Sequence, residues 1–325
     1  MNQNAEYWRN EVVAFLALST IKGVGYWTLY RLDLNEGGFK DFLKNSPISV
    51  LERELKVSNL LDDETPEEWQ RRVWDAGLQL ARDLGQERVR LYFRDQNEFP
   101  PQLRAIEDGP RWIFVQGEVN NLHRRSVAVV GTRKPSQDGE FLARYILALL
   151  ANTEFTVVSG LAFGIDQIAH RESLRFGLST VAVLGTGIFL DYPKGSQEVR
   201  DEILRNRGTI ITEYLPSQTY SGENFVRRNR IQAALADLIV PVEWKIKSGT
   251  AHTVEYAYKY GKKVVNVFLP GTALNRPELA FSERLRGAKS FEVPKQNSSL
   301  ADMFDPSLLE TNDSSQEPQQ QSLNI

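Results

Sequence analysis

The 325-residue sequence contains no cysteine, which excludes disulfides and thiolate metal sites. Histidine is scarce too: there are only His123, His170 and His252, and no two lie within one helical turn. So few ligands argue against a zinc or iron centre. Long apolar runs are also missing. The N-terminus, MNQNAEYWRNE, lacks the charged-then-apolar order of a secretory signal. The longest apolar run near it, Val12 to Leu18, falls far short of the roughly 20 residues that cross a bilayer. No membrane association and a cytoplasmic location are therefore expected. The dinucleotide fingerprint G-x-G-x-x-G is absent, and no internal repeat is visible.

What is present is the composition of a folded chain, 41% hydrophobic and 25% charged. A net charge of −3 is neutral evidence on nucleic acid, because phosphate contact depends on where Arg and Lys cluster. Three regions separate by pattern. Residues 1–90 read as a helical N-terminal domain, with apolar positions at 3–4 spacing. Within it, Ser19 to Gly25 carries two glycines ahead of the helical stretch Tyr26 to Leu32. This pattern predicts a helix–hairpin–helix whose turn can present backbone N–H groups to a phosphate.

A connector with Phe99-Pro100-Pro101 and Gly109-Pro110 follows. Short apolar runs then alternate with helical stretches to about 294, and residues 91–297 are assigned to one domain. The expected strands are Val127–Val130, Thr156–Ser159, Thr180–Leu184, Thr209–Thr212, Leu238–Val242 and Val264–Phe268. Such alternation implies an α/β, Rossmann-like doubly wound, mainly parallel sheet. Residues 298–325, polar and rich in Gln and Ser, read as a disordered tail.

Open α/β sheets bind ligands beyond the carboxyl ends of their strands. The first expected strand ends in Gly131-Thr132-Arg133, where glycine would admit a phosphate, the next helix would offer its N-terminus, and Arg133 would supply a forked cation. The second ends in Ser159-Gly160, followed by Leu161 to Ile165 with Phe163 among them, then Asp166 and His170. No acidic ribose ligand stands there, so NAD is not expected. Asp166 and His170 at i and i+4 would suit an acid–base pair. With no nucleophile nearby, the plainer role is that Asp166 orients His170 and locks the helix to the loop. The third strand leads through Gly185-Thr186-Gly187 to Lys194. The helix before the fifth begins near Phe225, Arg227, Arg228, Asn229 and Arg230, a mixture of ring and cations suited to single-stranded nucleic acid. After the fifth strand, Ser248-Gly249-Thr250 makes another hydroxyl-and-glycine turn at a helix start. Together these turns predict a phosphate-binding edge.

The order Gly131-Thr132-Arg133, Ser159-Gly160-Leu161-Ala162-x-Gly164-Ile165-Asp166-x-x-Ala169-His170, Tyr192-Pro193, Phe225-x-x-Arg228-Asn229-Arg230-Ile231, Ser248-Gly249-x-x-x-Thr253 and Pro270-Gly271 resembles the DNA-processing protein A (DprA/Smf) family. The likeness covers roughly residues 10 to 290. It implies a helical N-terminal domain, an extended Rossmann fold that forms a homodimer, and a pocket for single-stranded DNA. It also implies loading of a RecA-type recombinase during natural transformation. By the same resemblance Arg133 and Lys194 contact phosphate, Phe225 meets a base, no cofactor is needed and no reaction on DNA is catalysed. Two departures stand out. After residue 294 the chain is too short and polar for the winged-helix domain many members carry, so that module's contacts are expected to be missing. Thr272-Ala273-Leu274-Asn275-Arg276 replaces the usual Ser-x-Gly-x-Asn near the surface through which members dimerise.

Two other readings compete. Ser248-Gly249 followed by Glu255 is faintly similar to the signature of a Rossmann group that binds or cleaves nucleoside monophosphates, where Glu255 would assist N-glycosidic cleavage; the plainer role for Glu255 is a solvated helix carboxylate. A sensor of a nucleotide-derived signal would use the same phosphate edge. The extended cluster Phe225–Arg230 favours a polymer.

Overall fold

Short runs such as SVAVVG and TIIT offer water no polar face and need cover on both sides. The computed structural model describes residues 3–33 and 38–305, and it provides that cover with helices on both faces of a nine-stranded sheet. Five helices come first: α1 (Gln3–Thr20), α2 (Tyr26–Asp33), α3 (Gly38–Asn45), α4 (Ile48–Leu55) and α5 (Pro66–Gln86). Then follow β1 (Val89–Phe93), α6 (Pro101–Ala105), β2 (Trp112–Gly117), β3 (Ser126–Gly131), α7 (Gln137–Leu150), β4 (Thr156–Ser159) and α8 (Ile165–Arg175). Next come β5 (Thr180–Val183), α9 (Gln197–Arg205), β6 (Thr209–Thr212), α10 (Gly222–Leu235), β7 (Leu238–Val242) and α11 (Gly249–Lys259). The series closes with β8 (Lys263–Phe268), α12 (Pro277–Arg286), β9 (Lys289–Glu292) and α13 (Asn297–Asp302).

The sheet order is β1-β2-β6-β5-β4-β3-β7-β8-β9. β2 is antiparallel to both neighbours, and the other pairs are parallel. All six expected strands are present. The chain winds outward from β3 to β6 on one side, then returns to place β7 and β8 on the other. The switch point therefore lies between β3 and β7.

Three strands were not expected. β1 and β2 lie in the helical region's last residues and the connector, and β1 begins at Val89, just inside the expected 1–90 boundary. β9 is a four-residue edge strand. The helical region is not a separate core: Phe15, Leu29, Leu51 and Trp69 share one apolar cluster with Trp112 and Phe114 of β2, Ala182 of β5 and Ile210 of β6.

The C-terminal expectation needs correcting at its start. α13 forms, and Leu300 and Phe304 bury themselves in the cluster that holds Val265, Phe291 and Val293. Met303 packs beside them and Asn297 accepts from the Tyr145 hydroxyl, so a few contacts dock this polar segment. The Gln- and Ser-rich stretch lies outside the described residues. Among the described residues no helix is long and apolar enough to cross a membrane, and no three His, Asp or Glu side chains could hold a metal ion.

Candidate nucleic-acid interface

Loops leaving β3 and β7 diverge at the switch point and open a crevice there. Two adjoining hollows fill it. The smaller, about 210 Å³, is walled by Phe163, Leu184, Tyr192, Pro193 and Phe225, and Arg133 and Lys194 reach it. The larger, about 740 Å³, runs from Thr132 and Lys134 past Tyr220 and α10 to Ser248, Gly249 and Thr250. Arg133, Tyr192 and Phe225 border both.

The motif glycines have a packing task of their own. A Cβ on Gly131 would stand 2.2 Å from the Val242 carbonyl oxygen, so this glycine lets β3 and β7 close up beside Ile165. One on Gly185 would stand 2.4 Å from the Phe225 ring. One on Gly160 would stand 1.7 Å from Arg228 Nη1 and 2.6 Å from Asp166 Oδ2. Gly131, Gly160 and Gly185 thus make room for neighbouring groups of the protein while lining the two hollows. Gly249 and Gly222, at the starts of α11 and α10, have open space around them.

The N-terminus of α7 is not free either. Glu243 follows β7 with a left-handed φ of 46°, and its carboxylate accepts the Ser136 N–H at 2.8 Å. A Cβ on Gly139 would collide with that carboxylate. The helix end expected to receive phosphate is thus occupied by an internal anion.

The α10 cluster divides by helical phase. Phe225, Arg228, Asn229 and Gln232 line the trough at 3–4 spacing. Gln232 ties this row together: with its amide turned to satisfy its neighbours, it accepts from Arg228 Nη1 and Gly160 N–H and donates to Asn229. Arg228 is buried, donates to the Val183 carbonyl at 2.8 Å and keeps an unpartnered buried Nε. Burial lowers its pKa and Asp166 counters this. Asn229 donates to the Gly249 carbonyl at 2.9 Å and so fixes α11 against α10.

Arg230 and Arg227 face the other way, which corrects their assignment to phosphate. The Arg230 side chain is 1% exposed and grips both oxygens of Glu213 at 2.6 Å, with its Nε on the Asp108 carbonyl. Tyr26 of α2 donates to the same carboxylate at 2.6 Å. Burial alone would raise the Glu213 pKa, but Arg230, its hydrogen bonds and Arg227 hold it below the usual range. Arg227 lies 4.5 Å from the Trp27 ring centre and 3.6 Å from Glu213. These two arginines bind the N-terminal helices to the sheet.

Arg133 and Lys194 remain available. Among the described residues neither forms an ion pair. Arg133 lies 5.5 Å from the Phe225 ring centre. Beside Lys194, Asp191 accepts from Gly195 N–H and Ser196 Oγ, bonds that hold it below the usual carboxylate range and commit it to the turn. Phe163 is half exposed at the smaller hollow's rim. Thr132 Oγ1 accepts from Lys134 N–H. Ser248 caps α11, donating to the Lys245 carbonyl and accepting from Ala251 N–H, and Thr250 beside it is buried. Ser159 is buried and donates to the Val129 carbonyl, so its expected phosphate contact is also corrected.

Asp166 and His170 do not pair. Asp166 accepts from Ala162 N–H and lies opposite Arg228 across Gly160; burial raises its pKa and Arg228 opposes that. His170 Nδ1 meets Thr180 Oγ1 at 2.8 Å. The Thr180 hydroxyl donates to the Val157 carbonyl, so Nδ1 carries the proton and Nε2 is bare. Burial, helped by Arg228, holds the imidazole down to about 3. Between pH 6.5 and 3 the unfolded chain binds a proton at this site that the folded chain does not, so acidification destabilises the fold. At pH 5 the expected loss relative to pH 7 is about 2 kcal/mol. Asp33, raised by burial to about 6, acts with the opposite sign between about pH 4 and 6. Urea unfolding of wild type and His170→Gln at pH 5 and 7 isolates the histidine. The variant should lack the acid loss, and equal pH dependence in both proteins would refute this assignment.

Glu255 lies outside the residues lining the trough and pairs with His252 at 3.2 Å on the exposed face of α11, which removes it as a candidate acid. Of the Ser19–Gly25 segment, Ser19 and Thr20 end α1 and residues 21–25 turn into α2, with Gly23 at φ 91° and exposed. The sequence reading missed Tyr220, Gln232 and Glu243. Glu243 had the clearest signal, a lone acid directly after a wholly apolar strand.

Fold and site together define a doubly wound α/β protein with an aromatic-walled, cation-bearing trough at its switch point. The family model for DNA recombination-mediator protein A matches residues 90–296, and the chain belongs to that family. It is 32% identical over 272 residues to protein Smf of Synechocystis, covering 82% of this chain and 65% of that one. Against curated relatives from Escherichia coli, Synechocystis and Streptococcus pneumoniae the match spans 47–65% of their length. The solved structure of DNA processing protein A from S. pneumoniae superposes with a TM-score of 0.63 at 26% identity, covering 89% of this chain and 97% of that one. A Helicobacter pylori structure, described for that protein's single-stranded DNA binding mode, shares the fold with a TM-score of 0.57 at 24% identity, covering 65% of this chain and 95% of that one.

Proposed function

We propose that this chain binds single-stranded DNA along the switch-point trough and acts as a recombination mediator, without catalysing a reaction on the DNA. Arg133 and Lys194 neutralise successive phosphates, and Phe225 and Phe163 receive a base between them. The observation that carries this reading is the pairing of two uncompensated cations with an aromatic-walled hollow, the combination a single strand needs and a duplex cannot use. Phosphate contacts carry no base information, so sequence preference is weak. The family's name and the binding described for the H. pylori protein support the same reading. In this scheme the chain works as a homodimer and delivers its strand to a RecA-type recombinase.

Fluorescence anisotropy of a labelled oligonucleotide tests the binding. Salt-sensitive association that duplex DNA and free mononucleotides barely reduce is expected. Displacement by mononucleotides, or release of base from them, would instead favour the nucleotide-binding reading.

A further inference from the structure

Aromatic rings do not stop at the edge of the smaller hollow. Tyr192 meets Phe225 in a tilted contact with centres 5.1 Å apart at 30°, and stacks on Tyr220 with centres 4.5 Å apart at 28°. Among the described residues no ring contact joins Tyr220 to Phe225, so Tyr192 links the three rings into a ladder. Tyr220 is its outer rung and is 59% exposed. Its ring lies against Tyr192, and Tyr220 lines the larger hollow.

The loop that carries this ring is firmly held. Gly187 N–H donates to the Gln218 carbonyl, Phe189 N–H to the Pro216 carbonyl, and Tyr214 Oη to the Asn224 carbonyl. Ser221 then caps α10 by accepting the Asn224 N–H at 3.0 Å. The ring is therefore presented from an ordered segment.

We propose that Tyr220 is a second base-stacking step: a nucleobase flanking the one held at Phe225 stacks on its exposed ring. The occupant is part of the same strand, because the ladder is continuous with the hollow where Arg133 and Lys194 await its phosphates. Any base suffices, since every base has a π-face. This step rests on the single-strand reading above.

The test measures oligo-dT binding by anisotropy for wild type and for Tyr220→Ala, Tyr220→Leu, Tyr220→Phe and Phe225→Ala. Tyr220→Ala and Tyr220→Leu should weaken binding by about five- to thirtyfold, within the span of one base–aromatic stack. Tyr220→Phe should stay close to wild type. Recovery of affinity in Tyr220→Leu would show that the ring only covers Tyr192 and would overturn the proposal. So would an unaltered affinity in Tyr220→Ala alongside a weakened Phe225→Ala, a result that leaves the single-strand reading standing. Absence of binding by wild type would remove that reading and this step together.

Discussion

Arg230→Ala is expected to destabilise the fold by about 3–5 kcal/mol, the range for removing one partner of a buried ion pair. The loss arises because Glu213 is fully buried and receives two of its shortest hydrogen bonds from Arg230. Arg227 at 3.6 Å and the Tyr26 hydroxyl remain, which places the effect toward the lower end. Arg227→Ala should cost less, because its guanidinium is partly exposed and its contact with Glu213 is longer. The double variant Glu213→Leu/Arg230→Met should recover part of the loss by removing both members of the buried pair, the recovery staying partial because Arg227 and Tyr26 lose their contacts with Glu213. Urea unfolding monitors all three. Unchanged stability in Arg230→Ala, with lost DNA affinity, would return Arg230 to the phosphate-binding set.

Gly185→Ala is expected to lower single-strand affinity by about 1–3 kcal/mol, as much as Phe225→Ala, although residue 185 donates nothing to the ligand. The added methyl would lie 2.4 Å from Phe225 Cδ1, too close for the ring to stay where it walls the hollow. Overpacking of this kind costs about 1–3 kcal/mol of stability as well. Residues that share one contact are not additive, so Gly185→Ala/Phe225→Ala should bind no worse than Phe225→Ala alone. Anisotropy on the three variants decides the matter. A further drop in the double variant would mean that Gly185 approaches the DNA backbone itself.

The contrast between these two residues shows what could be read from the sequence and what could not. Runs such as SVAVVG and LIVPV announce buried parallel strands, and glycines after them mark the strand ends where a crevice opens. The trough's position at the switch point follows from that pattern. The direction of each side chain does not. Phe225, Arg227, Arg228 and Arg230 look like one basic cluster in sequence, but helical phase sends Phe225 and Arg228 to the trough and Arg227 and Arg230 to Glu213. That carboxylate, at the end of β6, has no local signal that it is buried against α10 and α2. β2 was hidden for a related reason: Trp112–Gly117 sits in a Pro- and Gly-rich neighbourhood and acquires its role by pairing antiparallel with β1 and β6. Motif glycines mark the strand ends, and only the folded structure reveals which protein atoms Gly131, Gly160 and Gly185 make room for.

The most direct test of a cationic trough that reads phosphate is the salt dependence of single-strand affinity in wild type and Arg133→Ala. For single strands the slope of log K against log salt is about −0.7 per phosphate neutralised. Wild type should therefore weaken steadily with salt, and Arg133→Ala should bind less tightly with a slope shallower by about 0.7. A flat response in wild type, or an unaltered affinity and slope in the variant, would contradict the account.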